Sequence, residues 1–159
     1  MARYNTIFAA LDGGSTQEAV VRRAFSIAHD NNANVVFGHV IDSVPYEANG
    51  IDFAALIEDG HARIEESLAK YFDRARKDEC IPSVDLQVRA GRVAETLVEG
   101  IIDPLNPDLV ICGVRGLSNI KYAFVGSVST HLIRNVKCDV LVVRPETLDE
   151  HPQDEWIDL

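Results

Sequence analysis

The sequence predicts an α/β fold built on a parallel sheet with helices on both faces. Two observations carry this. Short apolar runs alternate with segments of helical periodicity along the whole chain. Two of those runs, Leu109-Val110-Ile111-Cys112 and Val140-Leu141-Val142-Val143, are apolar without interruption, as strands buried on both faces are.

The elements follow in order. Thr6 to Leu11 reads as a first strand, ending at Asp12-Gly13-Gly14. Ser15 opens a helix, with Glu18 three residues on as a capping box and Asn31-Asn32 as its end. Asn34 to Ile41 reads as the second strand, followed by a polar stretch from Asp42 to Gly50. The longest helical pattern runs from about Phe53 to Asp78, and Gly60 within it marks an expected bend or break. Val84 to Ala90 alternates apolar and polar residues, as a strand near a sheet edge does. Val93 to Ile102 is an expected short helix stopping before Pro104. Asp108 to Cys112 is the fourth strand, Gly126 to Asn135 a helix, and Val140 to Val143 the last strand.

Bulk properties bound the function. The chain has 159 residues, a size that fits one domain. That domain is expected over residues 1–145, with an acidic tail over 146–159 whose sharper feature is Trp156-Ile157. A net charge of -10 argues against general binding of nucleic acid or of an anionic membrane, since both favour a basic surface. No segment has the long uncharged run of a membrane helix, and the first residues lack a signal-peptide pattern. The three cysteines are widely spaced with no Cys-x-x-Cys, so a reduced, cytoplasmic protein is expected. The five histidines are scattered, with no His-x-x-x-His or Cys/His cluster in the sequence, and no metal site is expected.

The chemistry points to an anion site. Gly113-Val114-Arg115-Gly116 follows the fourth strand, and after nine residues comes Gly126-Ser127-Val128-Ser129 at a helix start. Glycines after a strand and before a helix let backbone N–H groups approach an anion, and the helix dipole favours it. In open parallel sheets ligands bind at the carboxyl ends of strands, where the strand order reverses. Asp12, in the turn after the first strand, then has two readings: a turn or cap residue, or a partner for ribose hydroxyls or a metal ion near phosphates. His39 reads as a hydrogen-bonded core residue, Cys112 as a small hydrophobe, and Lys121 and Lys137 as surface lysines.

Taken together, Gly-x2-Gly-x9-Gly-Ser, the run Lys137 to Val143, Asp12-Gly13 and His39-Val40-Ile41-Asp42 resemble the universal stress protein family, in its ATP-binding branch. The resemblance covers about residues 4 to 145. It implies a single doubly wound five-stranded sheet of order 3-2-1-4-5. It also implies that Ala10, Leu11 and Asp12 line the ribose and adenine side, and that Val40 offers backbone groups to the adenine edge. Gly113, Arg115 and Gly116 would approach ribose and phosphates, and Gly126, Ser127, Val128 and Ser129 would hold the phosphates. Gly14 stands where the family often has Ser, and Val114 where it often has a small polar residue.

The implied ligand is ATP, with ADP and AMP sharing its adenine and ribose contacts, and magnesium as a companion ion. The glycine loop carries no Gly-Lys-Ser/Thr, and no Ser-His-Asp order or paired carboxylates suggest a catalyst. The reading is therefore a nucleotide-binding regulatory module of the stress response, acting on a protein partner the sequence does not name. A slow ATPase or phosphotransferase using Asp12 and a divalent metal is the alternative, and an interaction protein with a vestigial pocket is the second. The last strand, charge-free at Val140 to Val143 and expected at a sheet edge, implies a homodimer through that edge.

Overall fold

The computed structural model describes residues 2–114 and 126–144. Five strands, β1 (Thr6–Ala10), β2 (Asn34–Asp42), β3 (Val84–Gly91), β4 (Leu109–Gly113) and β5 (Asp139–Val143), form one sheet of order β3-β2-β1-β4-β5. All four pairings are parallel. The fold class and the strand order are those expected.

Side chains alternate across a strand, so a strand covered on both faces must be apolar at every position. Ile7, Ala9, Val35, Phe37, Leu109 and Ile111 enter one core layer, while Phe8, Val36, Val110 and Cys112 enter the other. β3 pairs only with β2, and its exposed Asp85 and Arg89 alternate with buried Leu86 and Val88. Gly38 of β2 is filled over by the Phe8 ring, which leaves no room for a Cβ.

The first layer is closed by α1 (Gln17–Asn31), α2 (Phe53–Ser67) and α3 (Ala69–Arg76). At its centre Phe37 meets Phe25 edge-on at 5.1 Å and Phe72 at 5.2 Å. The second layer is closed by α4 (Val93–Glu95), a π-helical stretch (Thr96–Ile102), α5 (Asp103–Leu105) and α6 (Ser127–Asn135).

Three local expectations are corrected. Helix α1 begins at Gln17 after a Thr16 N-cap that makes no side-chain hydrogen bond, so there is no capping box. Glu18 is instead drawn to α3, where it accepts the Tyr71 hydroxyl, with Arg22 and Lys70 beside it. The long helix breaks at Leu68, not at Gly60. Leu68 is buried at φ -110° and ψ 11°, and this turns Tyr71 and Phe72 into the core. Gly60 lies inside α2, where an added Cβ would come within 3.2 Å of Ile41 Cδ1; its bareness lets the helix sit close to β2. The helix after β3 does not stop before Pro104 but runs to Leu105. Asp103 N–H reaches back to Val98 O, so the ladder is already in π register where Pro104 enters without an N–H. Asn106, left-handed at φ 50°, ends it. The asparagine end of α1 stands: Asn32 is left-handed at φ 51°.

Gly113 shows how tightly the layers are drawn together. An added Cβ would run into the buried Thr16 side chain and lie 3.3 Å from Val20 Cγ2. The Gly113→Ala variant should therefore lose about 1–3 kcal/mol by overpacking, read as a lower urea midpoint with an unchanged slope.

Candidate functional site

The chain reverses direction across the sheet between β1 and β4, since β1 leads outward to β2 and β3 while β4 leads to β5. The carboxyl ends of β1, β2 and β4 open there into a cleft of ≈ 370 Å³. Such switch points are where open parallel sheets place ligands.

One wall is the turn after β1. Gly13 takes φ +73°, which favours glycine, and its N–H donates to Gln17 Oε1 at 2.8 Å. Asp12 closes the turn, with Oδ1 accepting Gly14 N–H at 2.8 Å. The turn reading of Asp12 is therefore met, and the same residue also lines the cleft. Leu11 is clamped from both sides. Its N–H donates to Gly38 O at 2.8 Å, and its carbonyl lies 2.7 Å from His39 Nδ1. A carbonyl only accepts, so His39 carries a proton on Nδ1. His39 is hydrogen-bonded as expected, though half-buried at the cleft rather than deep in the core.

The opposite wall joins the end of β4 to the start of α6. Ser129 is buried, and its hydroxyl donates to Gly113 O at 3.1 Å, tying α6 to the strand. Burial pushes the neighbouring Cys112 thiol up from its ordinary value, against a smaller opposing hydrogen bond from Ser129. Gly126 is the N-cap of α6 and brings no capping side chain, so among the described residues no side chain caps the first turn of this nine-residue helix, whose N–H groups face an incoming acceptor.

Of the expected site residues, Ala10, Leu11, Asp12, Val40, Gly113, Gly126, Val128 and Ser129 line this one cleft. Ser127 is exposed and does not line it. Arg115, Gly116 and Lys121 lie outside the described residues. Lys137 sits elsewhere, beside Asn106 and Pro107. The fold adds residues that sequence reasoning missed. Pro45 and Tyr46, from a 3₁₀ turn after β2, and Val93 and Leu97, after β3, complete an apolar wall. Asp42 also lines the cleft, its Oδ1 accepting Val44 N–H at 3.1 Å. The available signal was positional, because each follows the carboxyl end of a strand.

An apolar wall facing a few fixed polar groups suits a flat, largely apolar ring carrying polar substituents. Among the described lining residues there are two carboxylates, Asp12 and Asp42, and no Lys or Arg. From these residues a highly charged anion would receive backbone N–H groups, and the two carboxylates would favour an accompanying cation.

Away from the cleft, the fold brings together a histidine, a carboxylate and a cysteine that lie apart in the sequence. His29, Asp78 and Cys80 place their ligand atoms within 4.8 Å of one another. Their separation along the chain hid this from any spacing rule.

Comparison with known proteins places this geometry in context. Residues 3–144 match the sequence profile described as the Universal stress protein family. A Staphylococcus haemolyticus protein bearing the universal stress protein name is 31% identical over 155 residues, covering 98% of this chain and 93% of its own length. A Staphylococcus aureus counterpart is 32% identical, covering 96% and 93%. Among solved structures, universal stress protein UspA from Lactobacillus plantarum superposes with a TM-score of 0.75 at 22% identity, over 91% of this chain and 100% of that one. A universal stress protein in complex with cAMP is 26% identical with a TM-score of 0.59, over 91% and 99%.

Proposed function

The chain belongs to the universal stress protein family, and from that premise we propose that it is an adenine-nucleotide-binding regulatory module of the stress response. The observation that carries the reading is the meeting of two turns. The Asp12 turn after β1 and the Gly126 start of α6 share one cleft at the switch point. The apolar wall of Val40, Tyr46, Val93 and Leu97 accepts the base, with Val40 backbone groups at the adenine edge. Ala10, Leu11 and Asp12 take the ribose side. Gly113, Arg115 and Gly116 approach ribose and phosphates. Gly126, Val128 and Ser129 supply N–H groups to the phosphates, with Ser127 at the exposed margin. The Ser129 hydroxyl, bonded to Gly113 O, holds the start of α6 against the end of β4 on the phosphate side. The similar protein that holds cAMP supports the adenine class of ligand.

ATP is the proposed ligand, with ADP and AMP sharing the base and sugar contacts. The two carboxylates of the lining favour ATP as its magnesium complex. Titration calorimetry with ATP, ADP, AMP, cAMP and GTP, with and without magnesium, tests this. One adenine nucleotide per chain is expected, with ATP bound tighter when magnesium is present. Retention of intact ATP supports a module in which nucleotide biases conformation or partner choice. Multiple turnovers would replace it with a slow ATPase or phosphotransferase. Absence of binding by every nucleotide would leave an interaction protein with a vestigial pocket.

Assembly through β5 belongs to the same proposal. Among the described residues β5 pairs only with β4, and Val140, Leu141 and Val142 are half-buried along the edge. Sedimentation at micromolar concentration should give twice the chain mass, and a single-chain mass would contradict pairing through β5.

A further inference from the structure

The cluster away from the nucleotide cleft is formed by two segments packed side by side. His29 stands in the last turn of α1. Asp78 and Cys80 lie in the turn that follows α3, which packs against α1 in the same core layer. His29 Nδ1 and Asp78 Oδ2 are 2.7 Å apart, and Asp78 Oδ1 accepts Cys80 N–H at 2.9 Å. One carboxylate therefore binds the imidazole with one oxygen and orders the backbone of the cysteine with the other. The turn is held at both ends, by Asp78 N–H on Ala75 O at 3.1 Å and by Ile81 N–H on Asp78 O at 3.0 Å, with Ile81 buried.

We propose that His29, Asp78 and Cys80 form a binding site for a thiophilic divalent cation, zinc being the ion this donor set fits. The donors are one imidazole nitrogen, one carboxylate oxygen and one thiolate sulfur, a combination that suits zinc and disfavours the all-oxygen cations magnesium and calcium. Zinc bonds of about 2.0–2.3 Å place tetrahedral ligand atoms about 3.3–3.6 Å apart. The three atoms already lie within 4.8 Å of one another, so a closing movement of about 1 Å brings them to that spacing. The imidazole and carboxylate, now hydrogen-bonded at 2.7 Å, move slightly apart as the cation enters between them, the Nδ1 proton passing to solvent and the neutral ring carrying its hydrogen on Nε2. The thiol proton is released as sulfur binds, and the thiolate and carboxylate together balance the 2+ charge.

All three residues are half-buried. Three protein ligands with a solvent-facing side leave a fourth position for water, the pattern of exchangeable sites rather than closed structural ones. The other cysteines provide internal controls. Burial raises the thiols of both Cys112 and Cys138, which disfavours their thiolates.

Tag-free, reduced protein titrated with cobalt(II) tests the site independently of nucleotide. A thiolate-to-cobalt charge-transfer band should saturate at one equivalent and disappear on adding zinc. It should be lost in Cys80→Ser and retained in Cys138→Ser. His29→Gln should weaken binding by more than the roughly 10- to 100-fold typical of second-shell changes. A measurement on the unaltered protein stands beside these. Zinc should shield Cys80 from alkylation, mapped by mass spectrometry, while Cys138 continues to react. No cobalt band, a band that survives Cys80→Ser, or Cys80 alkylation indifferent to zinc would overturn the proposal and leave His29–Asp78 as a tether between α1 and the turn after α3.

Discussion

Substituting Gly126 with Asp should abolish adenine-nucleotide binding while leaving the fold at least as stable. Gly126 is the N-cap of α6 at φ -65° and ψ 170°, extended backbone that any residue adopts. Asp is a favoured N-cap, so the variant should gain about a few tenths of a kcal/mol over Gly. The same carboxylate accepts the first-turn N–H groups that phosphate needs and adds a negative charge near Asp12. A loss of at least about 100-fold in affinity, or about 2.7 kcal/mol, is expected by calorimetry. Gly126→Asn caps the helix without the charge and should lose less. Unchanged affinity in Gly126→Asp would remove α6 from the phosphate side of the site.

Phe37→Ala should be the most damaging single truncation in the larger core layer. Phe37 is fully buried on β2, between Phe25 of α1 and Phe72 of α3. It therefore joins the sheet to both helices at one point. Phe25 and Phe72 also meet edge-on at 6.0 Å, so removing the middle ring leaves two others facing a void. Large-to-small changes of this kind cost about 3–5 kcal/mol, against a whole-domain stability of about 5–15 kcal/mol. Thermal unfolding should fall by about 10–15 °C. Phe37→Leu keeps most of the volume and should cost clearly less. A Phe37→Leu variant as stable as the unaltered protein would mean that the ring contacts contribute little beyond filling volume.

The sheet was legible because its evidence is local. The apolar run at β4 is uninterrupted because both faces are covered, the run at β5 is half-buried at the edge, and β3 alternates because one of its faces is open. The helix ends were legible only where a residue announces itself through its own backbone, as Asn32 does. Glu18 misled because its carboxylate finds Tyr71 on the neighbouring α3 and Arg22 one turn along α1 instead of its own helix start. Gly60 misled because a bare position inside a helix can serve a close approach as well as a bend. Pro104 misled because a π-helical register lies just before it.

The candidate site divides in the same way. Asp12, Gly113 and Gly126 could be read from glycines and helix starts. Tyr46, Val93 and Leu97 could not, because strand order alone brings them to the cleft. Gly113 also carries a second meaning that spacing could not reveal. Its missing side chain makes room for Thr16, so it serves packing between α1 and β4 as well as any ligand. His29, Asp78 and Cys80 are the extreme case, since nothing in the spacing connects His29 to the Asp78–Cys80 turn.

The central claim is that one cleft, formed where β1 and β4 part, holds an adenine nucleotide. Amide NMR spectra recorded during titration with magnesium and ATP test it most directly. Saturable shifts are expected at Leu11 to Gly14, Val40, Tyr46, Gly113 and Gly126 to Ser129, with the remote turn at Asp78 to Ile81 unmoved. Shifts that are absent, or that gather away from these residues, would contradict it.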